Sequence, residues 1–173
     1  PLEEEIEDAV KNINKGKAPG IDGLPIEFYQ KFWGSLDRLH FNMIMEAYEY
    51  GMLPFTTKLS VLSLLFKSGE RKILDNFRPL SLTNSDYKII AYVFAQRIQS
   101  VMPTIIHSDQ TACVKDRYIG SSIRNICDII EYTENENIPG LLLCADFKQA
   151  FDTLEFNFLK SVLKKFNFGD IFI

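Results

Sequence analysis

The chain has 173 residues, of which 46% are hydrophobic and 13% aromatic, and its formal net charge is −4. This composition excludes a mostly disordered protein, because there is enough apolar material to build a hydrophobic core. No apolar run approaches the ~20 residues that a transmembrane helix needs, so no membrane partner is expected.

The cysteines indicate the cellular compartment of the protein, and the two ends of the chain indicate whether it is part of a longer one. Cys113, Cys127 and Cys144 are far apart and form no Cys-x-x-Cys pair, which argues against a zinc ribbon and against a secreted disulfide scaffold. We expect three reduced, mostly buried thiols in an intracellular protein of the nucleus or the cytoplasm, not a secreted one. The chain begins at Pro1 without a signal peptide and finishes in an apolar tail at Ile173, so we expect a piece of a longer protein.

The charge is unevenly distributed along the chain. Residues 1–57 carry a net charge of −5, residues 58–124 a net charge of +5 and residues 125–173 a net charge of −4. A basic segment between two acidic ones favours local binding of a polyanion despite the negative total. The alternative is that these charges only solvate the surface.

The first third of the chain has helical periodicity on both sides of a loop. Residues 2–15 place apolar side chains at spacings of three and four, which predicts an amphipathic helix that stops at Gly16. Residues 16–25 contain three glycines and two prolines and must form an irregular loop. A second helix is predicted from Pro25 to Gly51, with a break near Gly34.

The middle of the chain changes to a β pattern and then returns to a helix. Residues 56–67 and 76–83 are rich in apolar and β-branched residues around a Ser-Gly turn, which predicts a two-stranded β unit. Residues 85–101 have helical spacing, with Ser85 as the expected N-cap and Pro103 as the expected end.

The last third contains shorter elements. Residues 109–118 are polar and irregular, and a helix is predicted from Ser121 to Tyr132. A hydrophilic linker follows at residues 134–140. The apolar run at residues 141–146 predicts a strand, and a final helix is predicted from Asp152 to Phe166.

Asp146 stands where the predicted strand ends, a place where the backbone is fixed and the next turn opens to solvent. Magnesium takes carboxylate oxygens as ligands, so Asp146 is a candidate metal ligand. An aspartate at a strand end also often binds nearby amides, and that alternative stays open. Asp152 is a second carboxylate, but with Glu155 it fits an Asp-x-x-Glu capping box for the last helix.

Lys67 and Arg78 form a second candidate site in the basic segment. Lys67 follows the first predicted strand, and Arg78 lies in the second. If the two segments pair, both cations project toward one groove, where a planar guanidinium and a point-charge ammonium suit a triphosphate. The alternative is that both are ordinary surface charges.

Four segments occur in a characteristic order. Residues 17–33, KAPGIDGLPIEFYQKFW, contain a Pro-Gly-x-Asp-Gly core, and residues 62–99 carry a lysine-bearing strand, Phe-Arg-Pro-Leu-Ser-Leu and a helix. Residues 105–130 contain Asp-Gln-Thr, and residues 141–152 read LLLCADFKQAFD. Together they resemble the N-terminal motif, the fingers motifs, the fingers-to-palm segment and the first catalytic palm motif of the reverse transcriptase of non-LTR (LINE-type) retrotransposons.

This resemblance implies an α+β fold. The chain would be a fingers and palm fragment of a right-hand polymerase, mostly helical, with a short antiparallel β unit and the first palm strand. Residues 1–57 would be a helical N-terminal extension with the Pro-Gly-x-Asp-Gly loop, residues 58–130 the fingers and residues 131–173 the start of the palm. The implied activity is that of an RNA-directed DNA polymerase working by two-metal nucleotidyl transfer.

The resemblance also implies roles for residues near the chemistry. Asp146 would be a catalytic Mg²⁺ ligand, assisted by the backbone carbonyl of Phe147. Lys67 and Arg78 would contact the triphosphate of an incoming deoxynucleotide. Phe151 would be the steric gate against a ribose 2′-hydroxyl, although it can also be a residue of the core.

The implied partners are an RNA template, a DNA primer and deoxynucleoside triphosphates. The residues expected to lie near the nucleic acid are Gly20, Asp22 and Gly23 of the glycine-rich loop, with Lys115 and Arg117 farther along the chain. The sequence leaves the oligomeric state open.

The chain departs from the family pattern at a few positions. Ala112 and Cys113 replace a usual Gly-aromatic pair, and Asp116 replaces a usual glycine. Glycine at such a point often serves a positive φ, which aspartate tolerates better than most residues. The second catalytic motif, aromatic-x-Asp-Asp, has no counterpart, so we expect this piece to be inactive alone. One alternative is a decayed or co-opted remnant that binds RNA or a protein without catalysis; a weaker one is another palm-type nucleotidyltransferase.

Overall fold

A computed structural model describes residues 2–147 and 153–173. Two compact units divide the chain, residues 1–100 and residues 101–173. The elements in chain order are α1 (Leu2–Asn12), α2 (Ile26–Tyr50), β1 (Ser60–Phe66), β2 (Phe77–Thr83), α3 (Ser85–Ile105), α4 (Ile119–Asn135) and α5 (Phe156–Lys165). The expected mostly helical fold with a short antiparallel β unit is confirmed. In the described parts of the chain, no helix has the length and apolar character that crossing a membrane requires.

The core of the first unit is built from α1, α2 and α3. Each helix buries one apolar stripe, as expected for amphipathic helices that pack on each other. The buried core residues are Ile6, Ala9, Val10, Ile26, Tyr29, Ile44, Ile89, Ile90 and Val93. The acidic residues in the first turn of α1 stand at the positive end of the helix dipole and remain outside this core.

Helix α2 begins and ends as its flanking residues predict. Pro25 precedes it, and Gly51 follows it in the left-handed conformation, with φ of 64° and its N–H donating to the Ala47 carbonyl. The predicted break is present, but it lies at Phe32, whose φ and ψ of −108° and 15° are not helical. Gly34, where the break was expected, keeps helical geometry.

Strands β1 and β2 form an antiparallel hairpin, which confirms the predicted β unit. Ser60 pairs with Thr83 and Phe66 pairs with Phe77, and the rings of the second pair lie 5.4 Å apart between centroids. No residue of the hairpin is among the buried core residues of the described chain. The hairpin therefore presents both of its faces to solvent.

Helix α3 corrects two details of the prediction. Ser85 does not cap the helix, because its hydroxyl donates instead to the Leu24 carbonyl at 2.7 Å. Pro103 does not end it either, and the helix continues to Ile105. Proline removes only its own N–H from the ladder, and Ile106 N–H still donates to the Met102 carbonyl at 3.0 Å.

The second unit has little buried apolar surface. Val114 is the one buried residue in the described part of this unit, and α4 and α5 contain no buried residue. The three cysteines are free and exposed, so the expectation of buried thiols is wrong. Each is a small side chain in a part of the chain that has no core to bury it.

Two predictions in the last third are also wrong. Residues 141–146 are not a strand, because no other described segment pairs with them and a strand exists only through its ladder. The last helix begins at Phe156, which makes Glu155 the N-cap residue without a side-chain hydrogen bond. Asp152, the other member of the expected capping box, lies outside the described residues.

His40 is a buried polar residue within the core of the first unit. It is 7% exposed, and the rings of Tyr29 and Trp33 meet its ring edge-on at centroid distances of 6.3 and 5.6 Å. Desolvation lowers the pKa of His40 below its ordinary value, and the nearby Asp86 opposes this shift in part. The folded protein therefore favours the neutral imidazole.

We expect the stability of the chain to decline in acid because of His40. With the folded pKa below the unfolded value of about 6.5, the unfolded state takes up the proton first. The contribution of His40 to the free energy of unfolding is therefore fully present above pH of about 6.5. It decreases below that pH, with a slope of at most about 1.4 kcal/mol per pH unit. Chemical denaturation at several pH values measures the slope. His40→Leu should remove this contribution and His107→Ala, at the exposed histidine, should not; identical slopes for the two variants would contradict the assignment.

Candidate nucleic-acid and nucleotide sites

The Pro-Gly-x-Asp-Gly loop lies directly against Asn84, the residue that precedes α3. A Cβ atom on Gly20 would lie 2.0 Å from the Asn84 Oδ1 and 2.7 Å from its Cα, so only glycine fits here. The same Oδ1 accepts from the Asp22 N–H at 3.5 Å, and the Asn84 Nδ2 donates to the Thr56 carbonyl at 3.1 Å. One buried amide thus joins the loop, the segment before β1 and the start of α3.

The loop has its own tight turn. The Gly23 N–H donates to the Gly20 carbonyl at 3.2 Å, and Gly23 has a φ of 71°. The Asp22 Oδ1 accepts from the Leu24 N–H at 3.0 Å, which is the hydrogen bond of an Asx turn. The Asp22 side chain, which we expected near nucleic acid, therefore holds the turn in this structure, while Ile21 is exposed.

Two further contacts fix the N-terminal end of the loop. The Gly16 N–H donates to the Glu27 carboxylate at 2.6 Å, which holds the pKa of Glu27 below its ordinary value. Lys88 donates to the Ala18 carbonyl at 2.9 Å. Sequence reasoning missed Asn84 and Lys88 as positioning residues. For Asn84 the available signal was the polar run Asn-Ser-Asp where α3 begins, because such residues often bind neighbouring backbone groups.

The carboxylates of Asp22 and Asp86 both influence the buried Tyr29. Thr57 is buried, and its hydroxyl donates to the Asp86 Oδ2 at 2.9 Å. Burial, with added repulsion from Asp86 and Asp22, raises the pKa of Tyr29 to about 12. Tyr29 therefore keeps its proton throughout the physiological range.

Lys67 and Arg78 lie on one face of the hairpin. Leu65 pairs with Arg78, and the Lys67 N–H donates to the Asn76 carbonyl at 2.8 Å, which extends the ladder one residue beyond β1. Side chains alternate along a strand, so Lys67 shares the face of Leu65 and is a diagonal neighbour of Arg78. Both side chains are exposed, and neither the Lys67 ammonium nor the Arg78 guanidinium makes a hydrogen bond or ion pair with another described residue.

The hairpin end is locally basic. Residues 67–78 contain four cationic and two acidic side chains, a net charge of +2. The Arg71 guanidinium lies over the Phe66 ring, 4.9 Å from its centroid. Arg71 is therefore held on the hairpin by an aromatic contact, while Lys67 and Arg78 have their donors available.

The structure gives Lys115 and Arg117 very different surroundings. Lys115 is exposed and binds none of the residues that the structure describes. The Arg117 guanidinium is partly buried and donates to four backbone carbonyls, one in the last turn of α3 and three in the loop that follows it. Asp116 between them has a φ of 62°, which confirms the prediction of a positive φ where the family has glycine.

Asp146 and Phe147 lie in the second unit, and both are exposed. The Asp146 carboxylate binds no other described residue, and no cluster of three metal-binding side chains occurs among residues 2–147 and 153–173. One carboxylate with one carbonyl does not hold Mg²⁺ against water, so this donor set alone does not form a metal site. Phe151, the expected steric gate, lies outside the described residues.

Comparison with known families covers the later part of the chain. Residues 67–173 match the family described as reverse transcriptase (RNA-dependent DNA polymerase). The chain belongs to the reverse transcriptase family. The matched region of this reverse transcriptase segment includes Lys67, Arg78 and Asp146, the candidates for nucleotide and metal binding. Enzymes of this family generally use Mg²⁺ and act on nucleic acid and deoxynucleotides.

One relative matches the reverse transcriptase segment over nearly its whole length. It is the "Transposon TX1 uncharacterized 149 kDa protein" of Xenopus laevis, 35% identical over 170 residues. The match covers 98% of this chain but 13% of that protein. The resemblance to non-LTR retrotransposon reverse transcriptases is therefore confirmed.

We expect Gly20→Ala to destabilise the first unit. The new Cβ would overlap the buried Asn84 backbone, and overpacking of this kind costs about 1–3 kcal/mol. The matched control is Gly34→Ala, because a Cβ there meets nothing within 4 Å inside a helix and should be neutral or stabilise by about 0.5–1 kcal/mol. Thermal unfolding compares the two variants. Equal midpoints for both would show that Gly20 is not required by this contact.

Proposed function

We propose that the chain supplies the fingers and the first palm segment of an RNA-directed DNA polymerase of a non-LTR retrotransposon. The partners would be an RNA template, a DNA primer and deoxynucleoside triphosphates. The observation that carries this proposal is the hairpin register, because it puts two unpaired cations, Lys67 and Arg78, on one exposed face. The location would be intracellular, in the nucleus or the cytoplasm.

The proposed role of the Lys67 and Arg78 face is to bind the triphosphate of the incoming nucleotide. A triphosphate presents several charged oxygens, and the planar Arg78 guanidinium can bind two of them at once. Lys67 adds a mobile point charge two positions along the same face. Because no carboxylate binds either cation in the described chain, an anion need not displace an existing ion pair.

The proposed role of Asp146 is to give one carboxylate ligand to a magnesium site, with the Phe147 carbonyl beside it. Magnesium would neutralise phosphate charge in such a site. The described residues provide one carboxylate, so we assign no catalytic step to this chain through the metal. Phe151 would exclude a ribose 2′-hydroxyl next to this site.

The proposed nucleic-acid contacts are made by the backbone of the glycine-rich loop and by Lys115. The Gly20 and Gly23 backbone is held by Asn84 and by the Asp22 turn, which preorganises a backbone surface beside the exposed Ile21. Lys115 would add a phosphate contact elsewhere on the strand. The Asp22 carboxylate would contribute indirectly, because its hydrogen bond from the Leu24 N–H maintains the conformation of the loop.

A second candidate is a remnant that binds RNA or a protein partner and does no chemistry. The left-handed conformation of two residues other than glycine, Cys113 and Asp116, favours it. Both stand where the family pattern is broken, and such backbone costs of order 1–3 kcal/mol for each residue. A remnant would be expected to retain polyanion binding while losing any preference for a triphosphate.

Nucleotide binding separates these functions. A fluorescent deoxynucleoside triphosphate with Mg²⁺, titrated into the chain, should bind the unmodified protein. Lys67→Ala and Arg78→Ala should each weaken binding roughly 5- to 20-fold, the loss of a charge-assisted hydrogen bond at an exposed site. The corresponding monophosphate should bind more weakly than the triphosphate.

The matched control is Lys58→Ala. Lys58 is an exposed lysine that precedes β1, at the opposite end of the hairpin from Lys67. Its removal takes away the same charge and should change the affinity less than twofold, because distant exposed charges are screened. An equal loss of nucleotide affinity in all three variants would show only a general electrostatic attraction and would contradict a specific site. RNA binding without any nucleotide binding would favour the remnant.

A further inference from the structure

The loop between α3 and α4 is organised around the guanidinium of Arg117. One terminal nitrogen, Nη2, donates to the Pro103 carbonyl at 3.1 Å and to the Ile106 carbonyl at 2.8 Å. The other, Nη1, donates to the His107 carbonyl at 2.5 Å and to the Gln110 carbonyl at 2.7 Å. All four N–H groups of the two terminal nitrogens therefore have backbone acceptors.

One of these carbonyls, that of Pro103, lies in the last turn of α3, and the other three follow the helix; the His107 carbonyl also accepts from the Gln110 N–H at 3.1 Å. The last carbonyls of an α-helix lack intrahelical donors, and a cation near the C-terminus is favoured by the helix dipole. Arg117 donates to the Pro103 carbonyl in the last turn of α3 and to three carbonyls of the loop that follows. This gives a physical reason why the helix can extend beyond Pro103.

The same loop contains two strained backbone positions. Cys113 has a φ of 61° and Asp116 a φ of 62°, and both carry a Cβ that disfavours this region. Strained residues persist where their surroundings fix the chain. Arg117 is adjacent to one of them, and its four hydrogen bonds join the end of α3 to residues 107–110.

We propose that Arg117 is a positioning residue and that Lys115 is the phosphate contact of this loop. Only the Nε–H of Arg117 is unused by these four bonds, so a bidentate phosphate contact would require at least one carbonyl to lose its donor. Lys115 is two residues away, exposed and without a partner in the described chain. The part concerning Lys115 rests on the proposed nucleic-acid function, while the part concerning Arg117 does not.

The first test is amide hydrogen exchange of residues 106–118 in the chain, measured by mass spectrometry. Arg117→Ala should speed exchange there by about tenfold or more, and Arg117→Lys should do nearly the same, because an ammonium cannot reach four carbonyls in a plane. Lys115→Ala should leave exchange unchanged. Asp116→Gly should slow it or leave it unchanged, because glycine relieves the left-handed strain.

The second test is the salt dependence of binding to a labelled single-stranded RNA. Lys115→Ala should reduce the slope of log affinity against log salt by about one phosphate contact, whereas Arg117→Ala should leave the slope unchanged. The proposal is overturned if Arg117→Lys exchanges like the unmodified chain, or if Arg117→Ala lowers the slope and Arg117→Lys restores it. If the unmodified chain shows no salt-dependent RNA binding, the nucleic-acid function and the Lys115 contact both fail, and the exchange result still decides the role of Arg117.

Discussion

The geometry of the first unit depends on one buried amide, that of Asn84. Its oxygen meets the Asp22 N–H, its nitrogen meets the Thr56 carbonyl, and its backbone lies where a side chain at Gly20 would be. A buried amide without partners costs free energy, so the three segments must assemble together for the amide to be satisfied. The start of α3 is thereby fixed relative to both the glycine-rich loop and the segment leading into the hairpin. A nucleic-acid surface made from this loop would be rigid because the buried Asn84 side chain holds it in place.

The second unit is held by a different kind of interaction. Val114 is its one buried described residue, so it has little apolar burial to stabilise its loops. Hydrogen bonds from the Arg117 guanidinium to backbone carbonyls stabilise the loop between α3 and α4 instead, and two left-handed residues show that this loop is constrained. Polar contacts of this kind are directional, so they fix a loop conformation with little buried area. They are also sensitive to substitution, because no other single side chain has the same planar set of donors.

The sequence predicted those features that depend on local chemistry. The end of α2 at Gly51 and the pairing of β1 with β2 follow from glycine and from alternation of side chains, and both were right. The predictions failed where the local structure depends on residues that are distant in the sequence. Residues 141–146 have the composition of a strand but no described segment to pair with, and Pro103 is tolerated within a helix end whose carbonyls are satisfied from outside the helix. The prediction of buried cysteines was wrong for the same reason: all three are exposed, and burial depends on the position of a core that composition does not locate.

The candidate sites divide in the same way. Lys67 and Arg78 could be placed together from the sequence, because once two strands pair, the alternation of side chains determines which residues share a face. Lys115 and Arg117 could not be told apart, since both are cations in one polar loop. The difference arises from the acceptors around them: four carbonyls surround the guanidinium of Arg117, and none of the described groups meets the ammonium of Lys115. The proposed role of each cation therefore depends on whether its hydrogen-bond donors are already occupied. The same reasoning applies to Asp146. Its carboxylate has no partner among the described residues and is available to bind a metal, but one carboxylate alone is not enough to hold one.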